Sequence, residues 1–301
     1  MLYKIFKILR TVLLIGLLLM WKTGLMQSSQ IDARDLQRWE RDSNGVVLNA
    51  GEFSLDGRQD TCWYLIHGYT ATPNEMQGLA QAINDQFGDK VVATRLKGSG
   101  ELPSKILDQN LFTWYEQVEG EFLELKNTCK EVNVAGFSIG GALASNLAIQ
   151  QDVQRLYLIA PYLTATYKPY YIFRLEQYLN VLGPVLNFVK KSKIAQINDP
   201  KGLESYISFW NMPFEPMVNS RQFFEGLKAQ ISKLDVPVLL QHSKLDTVSD
   251  LASSQLIFDK AQTAVEDKKL TVYTKSNHCL LADYDAQSVI ASILEFDKQY
   301  R

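Results

Sequence analysis

Histidine and cysteine are scarce in this sequence. Three of each stand among 301 residues. None falls at the close Cys/His spacing of a metal site, so no metal ligand and no cofactor is assigned. Charge of one sign is lacking as well. The 31 basic and 33 acidic residues leave a formal net charge of -2, and the absence of a basic block excludes a nucleic-acid partner. No internal repeat or low-complexity stretch occurs. What remains is ordinary globular material: 46% hydrophobic and 21% charged residues, in a length that suits one α/β domain with a full core.

The first residues have a different character. Lys4, Lys7 and Arg10 precede an uninterrupted apolar run from Val12 to Trp21, the layout of a secretory signal or an uncleaved signal anchor. The run alone is shorter than the roughly twenty residues a bilayer span needs. The interleaved Leu2, Ile5, Phe6, Ile8 and Leu9, with snorkelling lysines, make an anchor feasible. No small-x-small cleavage site and no lipid-accepting Cys follows the run. Residues 1–26 are therefore expected to contact the membrane as an uncleaved anchor, a cleaved signal peptide or a buried amphipathic helix being the alternatives. The basic flank then places the remainder outside the cytoplasm, periplasmic or extracellular, and secreted if cleaved. Residues 27–45 read as a polar linker with some helix, and residues 46–301 as the folded domain.

Within that domain, short apolar runs alternate with helical patterns. Val46–Leu48 and Gly51–Leu55 read as early strands. Thr61–Ile66, Val91–Leu96, Val132–Phe137, Arg155–Pro161, Val236–Gln241 and Leu270–Tyr273 read as buried strands. Helices are expected over Asn74–Phe87 (Thr72 as N-cap, Pro73 in the first turn), Leu111–Lys130, Gly141–Gln150, Ser253–Ala264 and Ala286–Gln299. Nearly continuous apolar strands between helices predict a mostly parallel sheet covered on both faces. The rhythm breaks at about 164–233, which is aromatic-rich and reads as a helical cap over the carboxyl ends of the strands.

One stretch concentrates chemistry. Gly136-Phe137-Ser138-Ile139-Gly140 follows a buried strand and opens a helix, the G-x-S-x-G nucleophile elbow. Gly136 and Gly140 are demanded where a Cβ would clash with neighbouring chain. The Ile139 N–H, at the helix N-terminus, is aimed at developing negative charge. A serine nucleophile needs a base and an acid to orient it, and the elbow arrangement requires the order Ser, Asp or Glu, His. His278, after the last strand, is the candidate base. Asp246, after the penultimate strand, is the candidate acid, with Asp250 its competitor or else a helix N-cap. His67 and His242 each close a buried strand and are read as loop-holding residues. Tyr69, after His67-Gly68, is the second candidate oxyanion donor through its backbone N–H.

On these residues the chain resembles the α/β-hydrolases, and within them the carboxylesterase and monoacylglycerol-lipase group often labelled serine aminopeptidase-like. The matching stretches are H-G-Y-T-A-T-P (67–73), L-K-G-S-G-E-L-P (96–103), G-F-S-I-G-G (136–141), L-D-T-V (245–248) and N-H (277–278). Lys97 departs from the Pro that relatives commonly have there. The resemblance implies an α/β-hydrolase fold with an eight-stranded sheet and a cap between strands six and seven. It also implies ester hydrolysis through an acyl-enzyme, with Ser138, Asp246 and His278 catalytic. The expected substrate is a small ester, of medium- or long-chain acyl or lipid-derived type. Amide, thioester or peptide cleavage on the same triad, or a non-catalytic membrane-tethered binding protein, are the alternatives. Carbon–halogen or epoxide chemistry would want Asp at position 138. Cys62 and Cys129 lie at strands that neighbour in this family's sheet. Buried free thiols are expected there, although an exported domain also permits a disulfide between them. Cys279 is read as a packing residue.

Overall fold

The computed structural model describes residues 30–166, 188–190 and 196–301, together with residues 10, 11 and 14. The segment expected to be an anchor, 1–26, lies almost wholly outside them, and among the described residues no helix is long and apolar enough to cross a membrane. The main sheet has seven strands: β1 (Phe53–Leu55), β2 (Arg58–Ile66), β3 (Asp89–Thr94), β4 (Glu131–Phe137), β5 (Arg155–Ile159), β8 (Val238–Ser243) and β9 (Lys268–Tyr273). Their order is β1-β3-β2-β4-β5-β8-β9, while β6 (Phe188–Lys190) and β7 (Asn211–Pro213) form a separate antiparallel ribbon. Every main-sheet pairing is parallel except β1 with β3. Among the described residues the strand count is therefore seven, not the eight that the resemblance implied. Val46–Leu48 makes no strand; it contributes one isolated bridge, Arg41 with Val47.

The apolar runs are continuous because both faces of the sheet are covered. Along β2, Tyr64 and Ile66 join one core cluster with Trp114, Phe122 and Leu143, while Trp63 and Leu65 join another with Leu79, Ile83 and Phe296. Alternate residues of a strand point to opposite faces, so a strand buried on both sides leaves no room for a polar period. The helices responsible are α1 (Gln77–Phe87), α2 (Leu111–Lys126), α3 (Ile139–Gln150), α4 (Leu251–Lys260) and α5 (Ala286–Lys298). Before α1, Pro73–Met76 forms a 3-10 turn, and the Thr72 side chain makes no cap hydrogen bond. Thr72 is buried, and its hydroxyl meets no hydrogen-bond partner among the described residues.

The strand order places β2 between β3 and β4, so the chain leaves β2 first to one side and later returns on the other. Loops at such a switch point diverge and leave a crevice at the carboxyl ends. The register sets Ile66 opposite Gly136, which brings the loop from His67 beside Ser138.

At the other end of the same strands Cys62 and Cys129 form a disulfide, with Cα atoms 6.0 Å apart. The expectation of free thiols is overturned because Cys62 pairs opposite Val132 and the turn before β4 carries Cys129 back to it. The stretch read as a linker is docked from residue 30 onward. Residues 30–38 are helical. Arg41 pairs with Asp35 at 2.6 Å and donates to Glu101 O at 2.8 Å, and Arg38 lies 3.8 Å over the Trp210 ring. Of the expected cap, Tyr167, Tyr170, Tyr171, Phe173 and Tyr178 lie outside the described residues. Phe188, Phe209, Phe214, Phe223 and Phe224 are buried. The described part is not purely helical, since β6 and β7 are each too short to show a strand period.

Replacing Cys62 and Cys129 by Ser should cost about 2–4 kcal/mol, as expected for opening a loop of this length. Urea denaturation of the oxidised, reduced and doubly substituted chain measures it, and equal midpoints in all three would contradict the staple.

Candidate active site

The elbow is built by close backbone approach. A Cβ on Gly136 would lie 2.2 Å from Gly140 O, and one on Gly140 would lie 2.2 Å from Ile66 O and 2.6 Å from His67 O. No side chain fits at either point. Between them Ser138 takes φ 55° and ψ -117°, a conformation that costs on the order of 1–3 kcal/mol and persists only where the surroundings enforce it. Here they do: Ser138 N donates to Ile159 O at 2.9 Å, and Tyr162 N donates to Ser138 O at 2.9 Å.

Three strand ends converge on the serine. His278 Nδ1 lies 2.7 Å from Asp246 Oδ2, and His278 Nε2 lies 2.9 Å from Ser138 Oγ. An ionised carboxylate only accepts, so Nδ1 carries the proton and Nε2 is left to accept from the serine hydroxyl. All three residues are buried. The other carboxylate oxygen, Asp246 Oδ1, accepts from Val248 N and Ser249 N, each at 2.8 Å. His278 is itself held, its N–H donating to Asn277 Oδ1 at 2.9 Å, and its ring lies 5.0 Å from that of Phe137. Asp250 is not part of this line. It caps α4, accepting from Ala252 N at 2.9 Å.

His242 does more than hold a loop. Its Nε2 lies 3.0 Å from Ser249 O and 3.3 Å from Asp246 Oδ2, while Nδ1 meets Ser254 Oγ at 2.7 Å. A carbonyl cannot donate, so Nε2 carries the proton and shares it between Ser249 and Asp246. Burial opposes ionisation of Asp246. The His278 field and the hydrogen bonds from His242 and His278 outweigh it, holding the carboxyl well below its ordinary value. The four-residue spacing from His242 to Asp246 was visible in the sequence, but only the turn after β8 folds one back onto the other.

The loop after β2 supplies the other half of the site. His67 Nε2 accepts from Leu96 N at 3.1 Å, so Nδ1 bears the proton that reaches Gly68 O at 2.8 Å. Peptide units are planar and trans, so pinning the Gly68 carbonyl aims the Tyr69 N–H the opposite way. Among the described residues the Tyr69 and Ile139 N–H groups donate to no acceptor. The Tyr69 side chain faces away to other work, its hydroxyl donating to Pro213 O at 2.6 Å.

A mostly parallel sheet with an elbow serine after β4, an aspartate after β8 and a histidine after β9 is the arrangement of an α/β-hydrolase. The chain belongs to the family described as serine aminopeptidase, S33, whose profile matches residues 57–285. It is 26% identical over 238 residues to a thermostable monoacylglycerol lipase of Bacillus sp. strain H-257, covering 77% of this chain and 88% of the relative. Among solved structures it is similar to one of the metagenome-derived lipolytic enzymes LipS and LipT, with TM-score 0.75 and 19% identity over 84% of this chain and 99% of that one. It is also similar to a soluble variant of monoglyceride lipase from Saccharomyces cerevisiae, with TM-score 0.69 and 17% identity, covering 82% of this chain and 90% of the other. These structural likenesses speak for the fold.

His67 yields a pH prediction. Its burial, opposed by the Gly68 hydrogen bond and assisted by Arg95, lowers the imidazole pKa from 6.5 to about 4. Between these values the unfolded chain binds a proton that the folded chain refuses. Stability is therefore full above pH 6.5 and falls as the pH drops towards 4, by on the order of 3 kcal/mol. Urea midpoints across this range should show the slope in the native chain and a shallower one in His67→Gln, whose amide can serve both hydrogen bonds. Parallel slopes would refute the assignment.

Proposed function

We propose that this protein is a serine hydrolase that cleaves carboxylic esters through an acyl-enzyme, with Ser138 as nucleophile, His278 as general base and Asp246 as orienting acid. The observation that carries the reading is the unbroken line Asp246 Oδ2–His278–Ser138 Oγ at 2.7 and 2.9 Å, set beside two backbone N–H groups that have no acceptor among the described residues. His278 Nε2 takes the Ser138 proton as Oγ attacks the ester carbonyl, and Asp246 stabilises the resulting imidazolium. The Tyr69 and Ile139 N–H groups receive the oxyanion. His278 returns the proton to the leaving alkoxide, and water repeats the sequence to release the acid.

The substrate reading is a medium- or long-chain acyl or lipid-derived ester. The monoacylglycerol lipase relative and the aromatic-rich segment of about 164–233 support it. The basic flank Lys4, Lys7 and Arg10 before the apolar run Val12–Trp21 supports residues 1–26 as anchor or signal peptide and the placement of the domain outside the cytoplasm. The Cys62–Cys129 disulfide agrees with an oxidising compartment.

The full chain in detergent should hydrolyse p-nitrophenyl esters and be labelled by a fluorophosphonate. Ser138→Ala should lose the label and at least about 1,000-fold of the turnover. The chain-length optimum of the ester series then sizes the acyl site. Labelling without ester turnover would redirect the substrate to amides or thioesters. A folded chain with neither signal would refute catalysis.

A further inference from the structure

The loop that carries the Tyr69 N–H is strained and is held from outside. Thr70 takes φ 60°, a left-handed conformation that a β-branched residue disfavours. Gly68, which lacks a Cβ, lets the Phe137 ring lie against the chain just before the Tyr69 N–H. His67 pins the peptide on one side of Gly68. On the other side the Gly68 N–H donates to Glu75 Oε1.

Glu75 sits in the turn Pro73–Met76 and is buried. A buried carboxylate is costly unless hydrogen bonds replace its water. Its second oxygen, Oε2, accepts from the Tyr206 hydroxyl at 2.8 Å. Tyr206 remains a donor: burial, with Cys279 and Glu75 beside it, raises its pKa well above 10. Tyr206 belongs to the stretch that crosses the same loop twice more, through Phe209 N to Thr70 O at 3.0 Å and Tyr69 Oη to Pro213 O at 2.6 Å. Space around the contact is tight, since a Cβ on Gly68 would meet the Phe137 ring at 2.8 Å and Glu75 Oε1 at 3.3 Å.

We propose that Glu75 is a positioning residue that fixes the His67–Gly68 peptide, the one immediately before the peptide carrying the Tyr69 N–H, and that Tyr206 ties this carboxylate to the segment 206–213, so that the seating of that segment sets the strength of the oxyanion site. The inference rests on the hydrolase reading above. It assigns Glu75 no contact with substrate: its carboxylate acts through the Gly68 peptide.

The test uses the full chain, p-nitrophenyl ester kinetics normalised to fluorophosphonate-titrated sites, and a trifluoromethyl ketone that forms an oxyanion adduct with Ser138. Glu75→Ala should lower kcat about 100-fold, the size of losing one oxyanion donor, with KM within two-fold. The ketone's Ki should rise by a similar factor. Glu75→Gln should recover most of both, because its amide oxygen can accept from Gly68 and its NH2 can donate to Tyr206. Tyr206→Phe should lower kcat several-fold, in step with the ketone. A merely structural role would reduce the number of titrated sites and leave kcat per site and Ki unchanged, and that result overturns the proposal. Should Glu75→Ala fail to fold, unchanged kcat and Ki in Tyr206→Phe overturn it instead. A native chain that neither labels nor turns over would refute the hydrolase reading itself, before any variant is compared.

Discussion

Between the carboxyl ends of β2 and β4 the backbone of Gly140 approaches the carbonyls of Ile66 and His67 so nearly that no Cβ could be inserted. This contact lets α3 start directly after Ser138, where among the described residues the Ile139 N–H donates to no acceptor. It also presses the elbow against the loop from His67, so Ser138 and the N–H groups of Ile139 and Tyr69 come from adjacent strands. Asp246 and His278 arrive on the loops after β8 and β9 and are placed by hydrogen bonds, with the backbone of Gly202 packed against Ala282 just beyond His278.

Those hydrogen bonds make the site an electrostatic unit. Asp246 is met by two imidazoles and two backbone N–H groups, so a buried charge is distributed over partners that cannot all be lost at once. The consequence falls on His278. Its tautomer and ring orientation are set on the Asp246 side, and its Nε2 faces Ser138. The same principle governs the opposite wall, where His67, kept neutral by burial, holds one peptide in place. Charge sits at Asp246, away from where the oxyanion would form, and neutral donors stand near it.

How much of this was legible depends on the range of the cause. The elbow was legible because its glycines answer a local steric demand. The order of the three site residues was legible because only His67, His242 and His278 compete for the role of base, and one of them follows the last strand. The buried strands announced themselves through apolar continuity. Elements whose reasons lie elsewhere in the fold stayed hidden. Glu75 reads in sequence as an acid in the first turn of a helix, where such a charge is welcome at the surface; only the fold turns it inward to Gly68 and Tyr206. His242 reads as a strand-end histidine until the turn after β8 brings Asp246 back to it. The ribbon β6–β7 leaves no period to detect, and the apparent linker 30–45 conceals its docking because its contacts are made by polar side chains such as Arg38 and Arg41.

The disulfide belongs to the same logic as the elbow. β2 and β4 are the pair that carries the Tyr69 loop and Ser138, and a slip of one residue between them would turn every side chain to the wrong face and shift the two loops by about 3.3 Å. At the carboxyl ends the glycine contact forbids such a slip by exclusion. At the amino ends the Cys62–Cys129 bond forbids it by covalent attachment. The strand pair is therefore held at both ends, and its alignment does not rest on apolar packing alone, which is similar for any register of two nearly uniform hydrophobic strands. Such a bond persists in an oxidising compartment; the strained Ser138 and Thr70 at the far ends of the same strands are where its rigidity would be felt.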